Sequence, residues 1–328
     1  MSSPNNKKLS ILYTLQILKD YSDENHLLSQ SEIAKKIYNI YGMECERKSV
    51  GTNVDSLIDF GYDIVKTNRG CFLASREFEP SEIRFLIDAV FSSKSMDSKH
   101  AQQLSDKLSD LLSIYQRKRY KYIYKAEELN RTDNKELFYN IDIINEAIEN
   151  NKQIQFDYSR FHYKDSGKKE RPYVVNPYFL INNQGKYFLV CNYDYFDGIG
   201  NYKLERIRNI KILDSEIKPI RQVRGFEKGL DIAKYANENI YMFSSNSVKA
   251  TIRIYCEWAT AYVEEWFGKN ARFYEKDDKI YADIVANESS LFYWCLQYGE
   301  VVEIIESKQC RDRMKNIIDL MRNRYNDN

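Results

Sequence analysis

Apolar residues recur along the first sixty positions with the period of helices. Ile11, Leu12, Leu15 and Leu18 share one face of a first helix. A polar break at Ser22, Asp23, Glu24 and Asn25 ends it. Ser29 then offers an N-cap for a second helix, on which Ile33, Ala34, Ile37 and Ile40 line up. Gly42 closes that helix. A third runs from Arg47 to Phe60, with Val50, Val54, Leu57 and Ile58 turned inward and Gly61 as its stop. Runs at 62–67 and 70–73 then predict two strands joined by a turn at Asn68, Arg69 and Gly70. Three helices and a hairpin in this order predict a winged helix-turn-helix.

The pattern changes after residue 75. Glu79, Pro80 and Glu82 mark a helix start, and Ile83, Leu86, Ile87 and Val90 line that helix. Leu104, Leu108, Leu111 and Leu112 line the next, so the pair predicts a helical connector. The stretch 117–125 interleaves cations with Tyr120, Tyr122 and Tyr124. It fits a surface for single-stranded nucleic acid or, in the preferred reading, an edge strand with solvated lysines. Ile141, Ile144, Ala147 and Ile148 predict one more helix. Strand-like runs at 153–158, 173–178, 187–192 and 202–212 then follow at the spacing of a small β-barrel. Beyond them come an alternating run at 248–256, a helix with Trp258, Tyr262 and Trp266, and two strands flanking 275–279. A helix at 289–297, a strand at 301–305 and a long helix to Tyr325 complete the chain. That order, βαββαβ plus a helix, predicts a split βαβ sandwich.

The expected fold class is α+β and multidomain. The winged helix-turn-helix takes 1–75, the helical linker 76–135, the barrel 136–215 and the α/β extension 216–328. An apolar fraction of 43% in 328 residues supports several cores. The net charge of +1 carries no signal about partners, so any nucleic acid must be met by local patches. Residues 1–75 hold nine Lys/Arg against nine Asp/Glu. Such a neutral module binds DNA weakly as one copy, and two copies on a dimer are expected to read paired half-sites.

Catalytic chemistry finds no foothold. His26, His100 and His162 lie far apart, and there is no phosphate loop or metal-ligand spacing. Cys45, Cys71, Cys191, Cys256, Cys295 and Cys310 are scattered, as buried thiols are. A non-enzyme without cofactor or metal is expected. With no apolar leader and no apolar run near eighteen residues, so is a cytoplasmic protein without a membrane partner.

Two places carry candidate binding chemistry. Near the start of the third helix, Arg47, Lys48, Ser49 and Thr52 point outward, with Gly51 small enough for close approach to a DNA groove. Lys66 and Arg69 on the hairpin, with Lys35 and Lys36 on the second helix, are placed for phosphates. The alternative is a purely structural three-helix bundle. In the strand at 202–207, period-two alternation sends Tyr202, Leu204 and Arg206 to one face and Lys203 and Glu205 to the other. Those charges are either a solvated face or a ligand site.

Taken in order, these segments resemble the WYL-domain transcriptional regulators of bacteria over nearly the full length. The motif that names the family stands here as Lys186-Tyr187-Phe188-Leu189, and its aromatic-Arg-Leu-Asp-Arg-Ile strand as Tyr202-Lys203-Leu204-Glu205-Arg206-Ile207. Arg171 and Pro177-Tyr178 match its R…P-Y stretch, and Ala147 with Phe156-Asp157-Tyr158 matches its entry. Gly200 stands where an arginine often precedes the strand. The third helix, Arg47-Lys48-Ser49-Val50-Gly51-Thr52-Asn53, is similar to R-R-T-V-x-R-D, with Thr52 in place of an arginine. The resemblance implies a winged helix-turn-helix, a helical linker, an Sm-like/SH3-like barrel and a ferredoxin-like extension. It further implies a homodimeric repressor that binds a double-stranded DNA operator. A single-stranded nucleic acid or nucleotide ligand would meet Tyr187, Lys203 and Arg206, with Tyr158 and Arg171. The alternative function is an accessory module that holds single-stranded RNA or DNA for a larger machine.

Overall fold

The apolar periodicity at the start of the chain becomes three packed helices, α1 (Ser10–Tyr21), α2 (Gln30–Tyr41) and α3 (Arg47–Phe60). The computed structural model describes residues 7–118, 131–162, 167–193, 195 and 197–326. It is a mixed α/β protein with several sheets, in two compact units, Met1–Asp133 and Asn134–Asn328.

In the first unit, Ile17, Leu18, Ile33, Ile37, Val50, Val54 and Leu57 form one core. Ser29 and Glu32 close a capping box on α2, and Gly42 ends it in the left-handed region. Ile40, expected inward, is 47% exposed instead. Strands β1 (Ile64–Thr67) and β2 (Gly70–Leu73) pair as a hairpin, and Leu28 bridges to Cys71 beside it. That bridge requires Gly70, because a Cβ there would sit 2.6 Å from the Leu28 carbonyl.

Helices α4 (Pro80–Ser92), α5 (Ser98–Ser109) and α6 (Ile114–Lys118) follow. Leu111 and Leu112 lie beyond α5 and not on it, yet Leu112 still packs with Ile83, Ile87 and Phe91. Arg117 and Lys118 end a helix where an edge strand was expected. The reason is local, since the Ser113 hydroxyl accepts the Gln116 N–H and starts a helical turn. Tyr120, Tyr122 and Tyr124 lie outside the described residues.

The second unit opens with α7 (Leu137–Glu149), which packs across β3 (Lys152–His162), β4 (Gly167–Asn183) and β7 (Ile207–Glu216). With β5 (Lys186–Asn192) and β6 (Gly200–Lys203) these strands make an antiparallel sheet in the order β6-β5-β4-β3-β7. The long β4 slips register between Pro177 and Phe179, and β3 does so twice along β7. Such bulges bend a sheet, and here the bend encloses Ile154, Phe156, Val175, Leu189, Leu204 and Ile207.

The predicted strand at 202–212 is therefore two strands, split by a 3₁₀ turn at Leu204–Arg206. Leu204 anchors the turn inside the core. Asn134 holds it from outside the sheet, donating to the carbonyls of Glu205 (3.2 Å) and Ile207 (2.9 Å). Asn140 of α7 donates to the same Ile207 carbonyl at 3.1 Å. Both asparagines are fully buried.

The rest of this unit comprises α8 (Ile232–Glu238), β8 (Ser247–Ile254), α9 (Thr260–Phe267), β9 (Ala271–Lys276), β10 (Lys279–Asn287), α10 (Glu288–Gln297), β11 (Val302–Ile304) and α11 (Lys308–Asn326). Its antiparallel sheet runs β11-β8-β10-β9 over a core that includes Ile252, Val263, Phe267, Ile284 and Trp294. Met314 of α11 packs on that core, whereas Ile318, Met321 and Tyr325 are exposed further along. Among the described residues no helix is long and apolar enough to cross a membrane.

Asn134→Ala should destabilise the protein by about 2 kcal/mol, because it removes a donor from the Glu205 carbonyl and one of the two amides on the buried Ile207 carbonyl. Urea unfolding of the two proteins measures this. A difference under about 0.5 kcal/mol, the size of an ordinary surface substitution, would mean that Leu204 alone holds the turn.

Candidate functional site

The 3₁₀ turn changes what the charged residues beside it can do. Strict alternation places Lys203 and Arg206 on opposite faces of a strand. In a 3₁₀ turn, residues three apart eclipse one another, so Lys203 before the turn and Arg206 at its end come to one side. Lys203 is held below the ordinary lysine value of 10.5. Burial is the largest cause, followed by the Lys186 ammonium and the Arg206 guanidinium, with Glu205 opposing them.

Lys186 arrives by register. Phe188 stands opposite Lys203 across β5 and β6, and Lys186 is two residues from Phe188, hence on the same face. Among the described residues none of Lys186, Lys203 and Arg206 has a carboxylate within ion-pair distance. The half-buried Lys186 and Lys203 and the exposed Arg206 thus lie near one another, with Glu205 the opposing charge on Lys203. Such an arrangement favours an anion, and the guanidinium suits a phosphate held by two oxygens.

The other expected ligand residues are placed differently. Tyr158 is 7% exposed, with the rings of Phe156, Tyr173 and Tyr202 packed edge-on around it. Its hydroxyl accepts the backbone N–H of Lys203 at 3.2 Å. Tyr158 thus props the cation patch from beneath, where a base cannot stack on it. Arg171 is exposed and faces Tyr158 across β3 and β4. Tyr187 is half-buried and pairs with Asn182, so the pleat sends it to the face away from Lys186 and Lys203. Sequence reasoning missed Lys186 as a member of the patch, although its two-residue offset from Phe188 within a strand was a signal. It also missed Asn134, which lies far from any motif.

On the first unit, Arg47, Lys48, Ser49 and Thr52 are all exposed along the start of α3. Arg47 donates to the Gln30 side chain at 3.3 Å, and the Thr52 hydroxyl bonds back to the Lys48 carbonyl. No side chain caps the helix start at Glu46. Gly51 serves a different purpose from the one expected. It is buried, and a Cβ there would lie 2.8 Å from Gln30, so its smallness lets α2 and α3 approach each other. Lys66 forms an ion pair with Asp55 of α3, and Lys36 lies over the Tyr21 ring at 3.9 Å. Lys35 and Arg69 are exposed. Among the described residues, the candidate DNA-contacting cations with no carboxylate or ring partner are Lys35, Arg47, Lys48 and Arg69, the two at the start of α3 flanking its positive end.

Comparison with known proteins locates one part of the chain. Two solved structures align with most of it at low similarity. One is proteasome accessory factor B/C (PafBC) of Arthrobacter aurescens, with 14% identity and a TM-score of 0.30, covering 96% of this chain and 48% of that one. This chain thus spans about half the length of PafBC. The other is described as a CRISPR Cas-related protein, with 16% identity and a TM-score of 0.38, covering 97% of this chain and 85% of that one. No curated protein matches. Residues 139–212, which run from α7 to β7 and hold the cation patch, match the WYL domain family model, and the chain carries a WYL domain there.

Proposed function

We propose that this chain is a homodimeric transcriptional repressor whose hold on an operator duplex changes when a single-stranded nucleic acid or nucleotide binds its WYL domain. The observation that carries this reading is the trio Lys186, Lys203 and Arg206, gathered without a carboxylate partner on the WYL sheet. In this reading α1–α3 with β1 and β2 form a winged helix-turn-helix. The bent five-stranded sheet is an Sm-like/SH3-like barrel, and β8–β11 with their helices are a ferredoxin-like extension. The sheet order supports the last assignment, since the fourth strand lies beside the first and the third beside the second. Coupling between ligand and operator is reciprocal, so a ligand that releases DNA binds the DNA-bound protein less tightly.

Helix α3 is the element that enters the major groove, with Arg47 and Lys48 leading. With Lys66 already paired and equal numbers of acids and bases in residues 1–75, one module neutralises few phosphates. Two-fold pairing of half-sites restores affinity, and the exposed Ile318, Met321 and Tyr325 of α11 offer apolar surface for that pairing. The same neutrality favours a second reading, an accessory module that holds single-stranded RNA or DNA. In that case the protein binds random single-stranded oligonucleotides and ignores the duplex upstream of its own gene.

Arg47→Ala with Lys48→Ala should weaken duplex binding and lower the salt slope by ~0.9 for each phosphate that is no longer neutralised. Binding titrations at several salt concentrations read both effects, and an unchanged slope removes α3 from the interface. Sedimentation at micromolar concentration should give a dimer that Ile318→Ser with Met321→Ser dissociates. A parent protein that sediments as a monomer with and without DNA excludes the two-fold arrangement.

Replacing Lys186, Lys203 and Arg206 together with alanine should abolish the response to single-stranded nucleic acid and leave operator binding intact. In the parent, ligand affinity should fall as pH rises, beginning below the ordinary lysine range. The sign follows from Lys203, whose ammonium attracts the anion and whose pKa is lowered, so the charge is lost earlier than usual. Lys203→Arg should flatten that profile at and above neutral pH. A flat profile in the parent would falsify a role for the Lys203 ammonium.

A further inference from the structure

We propose that a second cleft, between the 220–231 loop and the 243–247 segment, binds a phosphate-bearing nucleotide independently of the cation trio. The cleft encloses about 1250 Å³, above the ~300–1,000 Å³ of ordinary small-molecule pockets. A mononucleotide fits within it. Its loop is already wound for the purpose in consecutive turns, with Val223 N–H on the Ile220 carbonyl, Phe226 N–H on Val223 and Gly229 N–H on Phe226. Val223, fully buried, fastens the loop to the sheet beneath.

Four cations and three carboxylates line the cleft, and the two kinds of charge are used differently. Asp231 accepts the Lys234 N–H and caps α8. Glu227 accepts the Gly225 N–H. Glu238, 8% exposed, takes the Ser247 hydroxyl and lies 3.8 Å from Lys234. Each carboxylate therefore has a donor. Among the described residues, Arg221, Arg224 and Lys228 have no carboxylate within ion-pair distance. Two guanidiniums and an ammonium around a cleft call for an anion with several oxygens, which is a phosphate or a chain of them.

The opposite wall supplies a surface for a base. Phe243 is 38% exposed at the rim, and its ring is held in place by Tyr241 and Tyr293 at 6.1 and 5.3 Å. Base stacking on such a ring is sequence-tolerant. Asn246 also lines the cleft and brings a side-chain amide, which can meet the polar edge of a base. The cleft takes in Ile199, just before β6, whereas Lys203 ends that strand roughly 13 Å of extended backbone further on, and none of Lys186, Lys203 and Arg206 lines the cleft.

The test uses the full chain with ATP carrying a fluorescent ribose label, followed by anisotropy, and pyrophosphate followed by calorimetry. Arg221→Ala with Arg224→Ala should weaken both ligands at least about tenfold, which corresponds to roughly one charge-assisted hydrogen bond. Phe243→Ala should weaken labelled ATP about five- to tenfold and leave pyrophosphate unchanged, because only the base stacks. The alanine triple at Lys186, Lys203 and Arg206 should still bind both probes saturably, with the residual affinity that the arginine pair variant loses. The substituted cleft side chains are exposed, and matching melting curves confirm that the variants fold. Three results overturn the proposal: no saturation of the parent by millimolar probe, unchanged binding in the arginine pair variant, or loss confined to the alanine triple. Loss confined to the triple would place the nucleotide on the cation trio instead, which supports the proposed function while ending this one.

Discussion

The carbonyls of Glu205 and Ile207 cannot both complete a strand ladder, because the chain between β6 and β7 must turn from one edge of the sheet to the other. Asn134 and Asn140 resolve this by satisfying those carbonyls from buried amides. With the carbonyls met, three residues wind into a 3₁₀ turn, Leu204 enters the core, and Lys203 and Arg206 converge. The network extends outward, since the Asn134 carbonyl oxygen accepts both the Glu136 N–H that precedes α7 and the Arg208 guanidinium at the start of β7. One side chain thus joins the entry helix, the turn and the last strand. The placing of Lys203 and Arg206 depends on it more than on either cation's own contacts.

Charge in this protein is allocated locally. The near-zero net charge conceals cations that are paired, such as Lys66 with Asp55, and cations that are not, such as those at the start of α3 and around Lys203. Only the second kind attracts a partner strongly, because a cation beside a carboxylate must exchange one anion for another. An Asp or Glu count over 75 residues cannot make that distinction.

Much of the architecture was legible because periodicity reports burial. The three N-terminal helices, the hairpin and the strands of the C-terminal sheet occupy the segments that Ile33, Val54, the alternation at 248–256 and the turn at 275–279 marked out. Errors arose where a tertiary hydrogen bond overrode a local pattern. Alternation in Tyr202-Lys203-Leu204 continued into Glu205-Arg206 on paper, but Asn134, seventy residues earlier, breaks the strand. Gly51 read as room for DNA because its neighbours Ser49 and Thr52 are small and exposed, while only the packed helices show Gln30 filling that side. Tyr158 read as a ligand contact because sequence cannot tell which aromatic residues of a sheet face each other.

The cation trio also explains how binding at this patch can transmit a signal. Three like charges lie near one another, and burial first, then Lys186 and Arg206, lower the affinity of Lys203 for its proton. Under the proposed function, a bound anion would offset that repulsion and so stabilise the turn and, through Asn134, α7 and β7. The ligand need not push anything. In that reading it makes one arrangement of the turn more favourable than its alternatives, and whatever differs between those arrangements is what the rest of the protein can read.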